Sequence, residues 1–231
     1  MNRSKLLLRT AGVCGVLSTI FVLIWLPVML SFVSRFSYTQ NWISDLGGMG
    51  SPPFGRPNMT AQLTVLMLTI MLAVVGPLKT VFAIGLVHDA STTKNGASTT
   101  WYRYAAVCAL VSSISTILMG VFTESTFGGV PHLVFALAAF LLLVAAAILI
   151  GFSYRKSGIT WLGNFSVAWG VMMLIGVVLY FPFRGAGELI QWMQEMTWVF
   201  LMSFILLQES ASRSDWPISV LPTKKYNVPY N

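Results

Sequence analysis

From Leu133 to Phe152 the chain reads "LVFALAAFLLLVAAAILIGF", twenty residues without a charged side chain. No other feature constrains the fold as strongly. About 20 consecutive apolar residues are what an α-helix needs to cross the hydrocarbon core of a bilayer, and soluble domains rarely carry such runs. Comparable stretches give six spans in all, at about 11–34, 61–87, 104–123, 131–152, 161–183 and 187–208. The expected fold class is therefore all-α, a polytopic membrane helical bundle of six transmembrane helices occupying 1–208, followed by a tail over 209–231. Only 9% of the residues are charged, against roughly 25% in ordinary soluble domains. A separate soluble domain could not cover its surface with so little polarity. The prolines and lysines of the tail point to a disordered cytoplasmic segment near anionic headgroups.

The first span begins like a signal peptide, but its apolar stretch is about twice the usual length and no small-residue cleavage site follows, so it is expected to remain as an anchor. In the second span, Gly76-Pro77 followed by Lys79 is expected to kink the helix or end it near Leu78, leaving Lys79 at the membrane edge. Cys14 and Cys108 both fall inside apolar runs and read as packed thiols. Small residues, Ser112, Ser113, Ser115 and Gly120 in the third span and the Ala147/Gly151 pair in the fourth, allow close helix approach.

Basic residues set the orientation. Arg3, Lys5, Arg9, Lys94, Arg103, Arg155, Lys156, Arg213, Lys224 and Lys225 fall on one set of loops and termini, while only Arg35, Arg56 and Arg184 fall on the opposite set. By the positive-inside rule both termini are expected in the cytoplasm of a plasma-membrane protein, with Trp42 and Trp192 in the outer aromatic belt. The scattering of positive charge over short loops also argues for lipid contacts and against nucleic acid.

The acids divide the other way. Asp45, Glu124, Glu188 and Glu195, together with His132, lie toward the outer ends of spans, and only Asp89, Glu209 and Asp215 are on the cytoplasmic side. Glu195 falls about two turns inside the last span, where an ionisable group is expensive and usually faces a cavity or a partner. Gln191 and Glu188 precede it by four and seven residues and share its helical face. Glu188 also suits a helix N-terminus, where an acid complements the dipole. Glu124 and His132 bracket the short loop "STFGGVP", and an acid beside an imidazole orients the ring. Ser44 and Asp45, in "NWISDLGGMG", can cap a turn, and the glycines around them permit close backbone approach.

Taken together, "NWISDLGGMGSP", "GVFTES" with "GVPH", and "RGAGELIQ" resemble the signature of an uncharacterised prokaryotic family of multi-pass membrane proteins, domain of unknown function 998. The resemblance covers almost the whole chain. It implies a six-span bundle in which Ser44, Asp45, Gly47, Glu124, His132 and Glu188 occupy the recurring polar positions, and it implies no reaction. Thr123 stands where the resemblance leads one to expect a proline.

Three functions suit these residues. The outer polar cluster of Ser44, Asp45, Glu124, His132 and Glu188 would bind a lipid headgroup, a cation or a partner. Alternatively, the chain is an outer-leaflet enzyme in which a carboxylate and His132 act as base and partner, or in which Asp45, Glu124, His132 and Glu188 hold a divalent cation that activates water. A proton-coupled transporter would instead use Glu195 as its coupling residue.

Overall fold

The computed structural model describes residues 3–33, 43–47, 59–92, 96–123 and 127–212. The chain is built from α1 (Arg3–Ser31), α2 (Met59–Thr92), α3 (Gly96–Val121), α4 (Val130–Lys156) and α5 (Thr160–Ser212), with short 3₁₀ turns at Ser44–Gly47 and Phe127–Gly129. Among the described residues there is no strand. Six segments are long and apolar enough to cross a membrane: one in each of α1 to α4 and two in α5, Thr160–Leu179 and Gly185–Ala211. The protein is thus an all-helical, multi-pass membrane protein. Its outer surface carries large apolar side chains such as Ile24, Leu66, Val134 and Val178, as a lipid-facing surface must.

Cross-helix contacts give the path of the chain. Ser4 meets His88 and Trp25 meets Met67, so α2 runs antiparallel to α1. Lys79 meets Thr116 and Tyr102 meets Asp89, reversing direction again into α3. Ser112 and His132 tie α3 to an antiparallel α4, and Ser166 donates to Ala147 O from α5. Within α5, Trp169 donates to Gln194 O and Trp198 to Ser166, so the two spans of that helix fold back on each other. Thr19 of α1 then donates to Met196 O of the second span, closing a ring of six. One end of the ring bears Arg3 and Ser212; the other bears the Ser44–Gly47 turn and the start of α4.

Small residues bring neighbours close where the sequence suggests they should. A side chain at Gly151 would lie 2.8 Å from Gly163 O, and one at Gly163 would lie 2.7 Å from Gly151 O, so α4 and α5 touch backbone to backbone there. Ser112 sends its hydroxyl to Ala139 O at 2.7 Å, and the gain is the same on the α3–α4 seam.

The interior falls into two apolar clusters. One, toward the termini, includes Leu8, Phe82, Leu143, Ile150 and Leu206; the other, toward Asp45, includes Val22, Leu72, Phe140, Trp192 and Met196. Between them in sequence along α2 and α3 lie Lys79, Ser112, Ser113 and Thr116, so the bundle has a polar waist.

The second span does not end early. Instead of ending near Leu78, α2 continues through Pro77 to Thr92. A proline in a helix interior costs about 3 kcal/mol, but here Gly76 packs against Ile117 of α3, and Thr80 Oγ1 donates to Gly76 O at 2.9 Å in the same turn. Neighbouring helices and hydroxyl side chains commonly maintain a membrane helix through such a break.

Candidate functional site

The segment Ile43–Leu46 is buried along its whole length. Ile43 and Leu46 insert into the apolar cluster at this end of the ring, which holds the intervening Ser44 and Asp45 against the protein. A buried turn leaves backbone N–H groups that need acceptors. Glu188 supplies one: its Oε2 accepts from Ile43 N at 2.6 Å and from Ser44 N at 3.2 Å. The carboxylate is therefore a fixed anchor for the "ISDL" turn. Glu188 stands in the first turn of the second span of α5, Gly185–Ala211, just after the chain reverses.

His132 occupies the first turn of α4 beside Pro131 and is buried. Its Nδ1 lies 3.1 Å from Met119 O and 2.9 Å from Phe122 O, the last turn of α3. Carbonyl oxygens only accept, so Nδ1 carries the proton and in the neutral ring Nε2 keeps its lone pair. That Nε2 is buried and has no partner among the described residues.

Ser44, His132, Glu188 and Trp192 line one small cavity, closed on its apolar side by Ile43, Leu68, Leu72 and Met119. About 10 Å³ of it is open to the centre of a water molecule, room for roughly one. Three of the lining residues carry a buried polar atom without a partner among the described residues: Ser44 Oγ, His132 Nε2 and Trp192 Nε1. Leaving such an atom unsatisfied costs about 1–3 kcal/mol. Three such atoms on residues of one small region single it out from the rest of the bundle.

The other acids separate from this site. Asp45 is buried on the same turn but does not line the cavity. Glu124 lies outside the described residues. Among the described residues no three His, Cys, Asp or Glu side chains come close enough together to hold a metal ion, so Asp45, His132 and Glu188 do not by themselves form a cation site.

Glu195 is deeper, at the polar waist. It forms an ion pair with Lys79, whose Nζ also donates to Thr116 Oγ1 at 3.1 Å. Lys79 is 2% exposed and Glu195 1%, so neither reaches the membrane edge. Lys79 therefore faces inward, correcting the snorkelling expectation, because a carboxylate in the bundle balances its charge better than a stretch to the headgroups. The sequence carries a signal for this pair: a lysine inside the second span and a glutamate two turns inside the last, opposite charges in apolar surroundings. Trp192 was missed; it reads as a belt aromatic, whereas it is 3% exposed and lines the cavity. Between the two sites Gln191 is fully buried, and both of its amide atoms lack partners among the described residues.

The residues that line the cavity all fall within the match to a known family. The model of that family, described as Protein of unknown function (DUF998), matches residues 9–205. The chain belongs to the DUF998 family. The match to DUF998 spans every element that lines the cavity, from the Ser44–Gly47 turn to the second span of α5. Among curated proteins and among solved structures, none matches the chain.

Proposed function

We propose that this DUF998 protein binds the polar head of a membrane-resident amphiphile in the cavity formed by Ser44, His132, Glu188 and Trp192. The protein sits in the plasma membrane with both termini cytoplasmic, which places the cavity in the outer leaflet. One observation carries the reading: the buried Ile43–Leu46 turn, clamped by Glu188, adjoins a small cavity lined by Ser44, His132 and Trp192, each of which has a buried polar atom without a partner among the described residues. A hydrolytic role is less well supported, since neither Ser44 Oγ nor His132 Nε2 hydrogen-bonds the other as a nucleophile and its base would. Transport is less well supported because Glu195 is engaged with Lys79.

The test is reconstitution in nanodiscs of phosphatidylethanolamine, phosphatidylglycerol and diacylglycerol in equal parts, followed by detergent release and native mass spectrometry. The intact protein is expected to retain one lipid, and the Ser44→Ala/Trp192→Phe variant to lose it. Retention of no lipid by the intact protein, or equal retention by the variant, rejects the reading.

A further inference from the structure

At the end of the bundle that bears the termini, the last turn of α4 carries two adjacent cations, Arg155 and Lys156. Both are exposed, and neither pairs with a carboxylate among the described residues. A cation in a last turn offsets the helix dipole. The dipole does not account for the aromatic surroundings of this one.

Lys156 Nζ lies over the Trp101 ring of α3, 5.3 Å from its centroid. Phe152, one turn earlier on the same face of α4, meets the same indole at 6.1 Å and is itself 38% exposed. Arg155 turns the other way, its stem packed against Gly163 of α5. Trp101 and Lys156 stand in the first and last turns of their spans, so the ammonium is held at headgroup level with an apolar, lipid-facing bed beside it. An unrestrained lysine extends into water. The contact with the indole face fixes this one at the groove between α3 and α4.

Both polarities of this surface need an occupant. The uncompensated ammonium and guanidinium attract an anion, and the Trp101–Phe152 pair suits hydrocarbon. A soluble phosphate meets the first alone, and a zwitterionic phospholipid brings a second cation that Lys156 repels. We infer that the groove between α3 and α4 at this end docks an anionic phospholipid of the phosphatidylglycerol class, with its phosphate on Lys156, its glycerol and first acyl carbons on Trp101 and Phe152, and Arg155 adding charge from the same turn. This surface is separate from the cavity at Ser44, and neither reading depends on the other.

A groove open to the bilayer exchanges its lipid during detergent release, so the experiment is done in liposomes. The full chain is reconstituted with a trace of phosphatidylglycerol or phosphatidylcholine bearing a diazirine near the carboxyl end of one acyl chain. After irradiation the labelled peptides are quantified by mass spectrometry. Labelling of the Trp101 and Phe152 peptides is expected to be about fivefold or more higher with phosphatidylglycerol, the factor that one basic group beside an anionic headgroup supplies. Lys156→Gln is expected to bring it down to the phosphatidylcholine level, Arg155→Gln to lose less, and Lys156→Arg to keep the preference. Labelling at Val134 and Val178, exposed elsewhere on the bundle, should stay unchanged in every variant as the sign of an intact fold. The control, Arg3→Gln/Lys5→Gln, removes two charges at the same end and none from the groove. Equal labelling by the two lipids, or an equal loss in the control, would overturn the site and leave only the general attraction of a basic surface. Glycerol 3-phosphate abolishing the labelling at millimolar concentration would assign the cations to a soluble anion and overturn the lipid occupant.

Discussion

A lysine ammonium inside a membrane bundle is tolerated only when a partner balances it, and Lys79 has two, the Glu195 carboxylate and the Thr116 hydroxyl. Removing one member of such a pair strands a buried charge. Lys79→Met or Glu195→Met alone is expected to lower stability by about 3–5 kcal/mol, whereas the double variant should return close to the parent or exceed it. Thermal unfolding in detergent decides: additive losses in the double variant would show that the two residues act separately. Glu188 is the corresponding residue of the cavity. Its two hydrogen bonds to Ile43 N and Ser44 N are made by a carboxylate, worth about 1.5–3 kcal/mol each. Glu188→Ala should release the Ser44–Gly47 turn without unfolding the helices, seen as faster hydrogen exchange at Ile43 and Ser44; unchanged protection there would refute the anchor. A cycle of Glu188→Gln with His132→Gln tests whether the two sides of the cavity are coupled. Shared-site residues should show non-additivity of about 0.5–3 kcal/mol, and independent ones almost none.

Among the elements, the seam between α4 and the first span of α5 is a close backbone approach, with Gly151 and Gly163 facing each other. Helices in lipid associate by such packing, since burial of apolar surface gains little against an apolar solvent. Gly151→Leu should therefore cost at least about 1–3 kcal/mol by forcing the helices apart. Leu141→Ala, on an exposed position of the same helix, should change stability by no more than about 0.5 kcal/mol. Comparable losses at the two positions would remove the seam from the account. The same packing explains α2, where contacts with α3 outweigh the local tendency of Gly76-Pro77 to stop a helix.

For the whole molecule, the ring of six spans has two unlike ends. Ten of the fourteen basic residues fall on the side of the termini, and the polar cavity lies at the other. On the orientation proposed above, the positive-inside rule would put the cavity outside. A single-cysteine accessibility scan should label Gly48→Cys from outside the cell and Gly96→Cys only after permeabilisation. Labelling of position 48 from the cytoplasm would invert the molecule and put the cavity in the inner leaflet.

Sequence alone determined the number of spans, because crossing a bilayer demands a long uninterrupted apolar helix and leaves that demand visible in local composition. It also drew attention to Ser44, His132 and Glu188, whose polarity near the ends of apolar spans is locally conspicuous. What it left undetermined depended on contacts between residues far apart in the chain. That Glu188 reaches back to Ile43 and Ser44, that Trp192 turns inward to the cavity, and that Lys79 finds Glu195 across the ring are consequences of how the six helices are arranged. Local pattern says which face of a helix is polar; only the closed ring decides which partner that face meets. In an apolar interior, where an unpartnered charge costs several kcal/mol, that partner decides whether a lysine lies at the membrane edge or within the bundle.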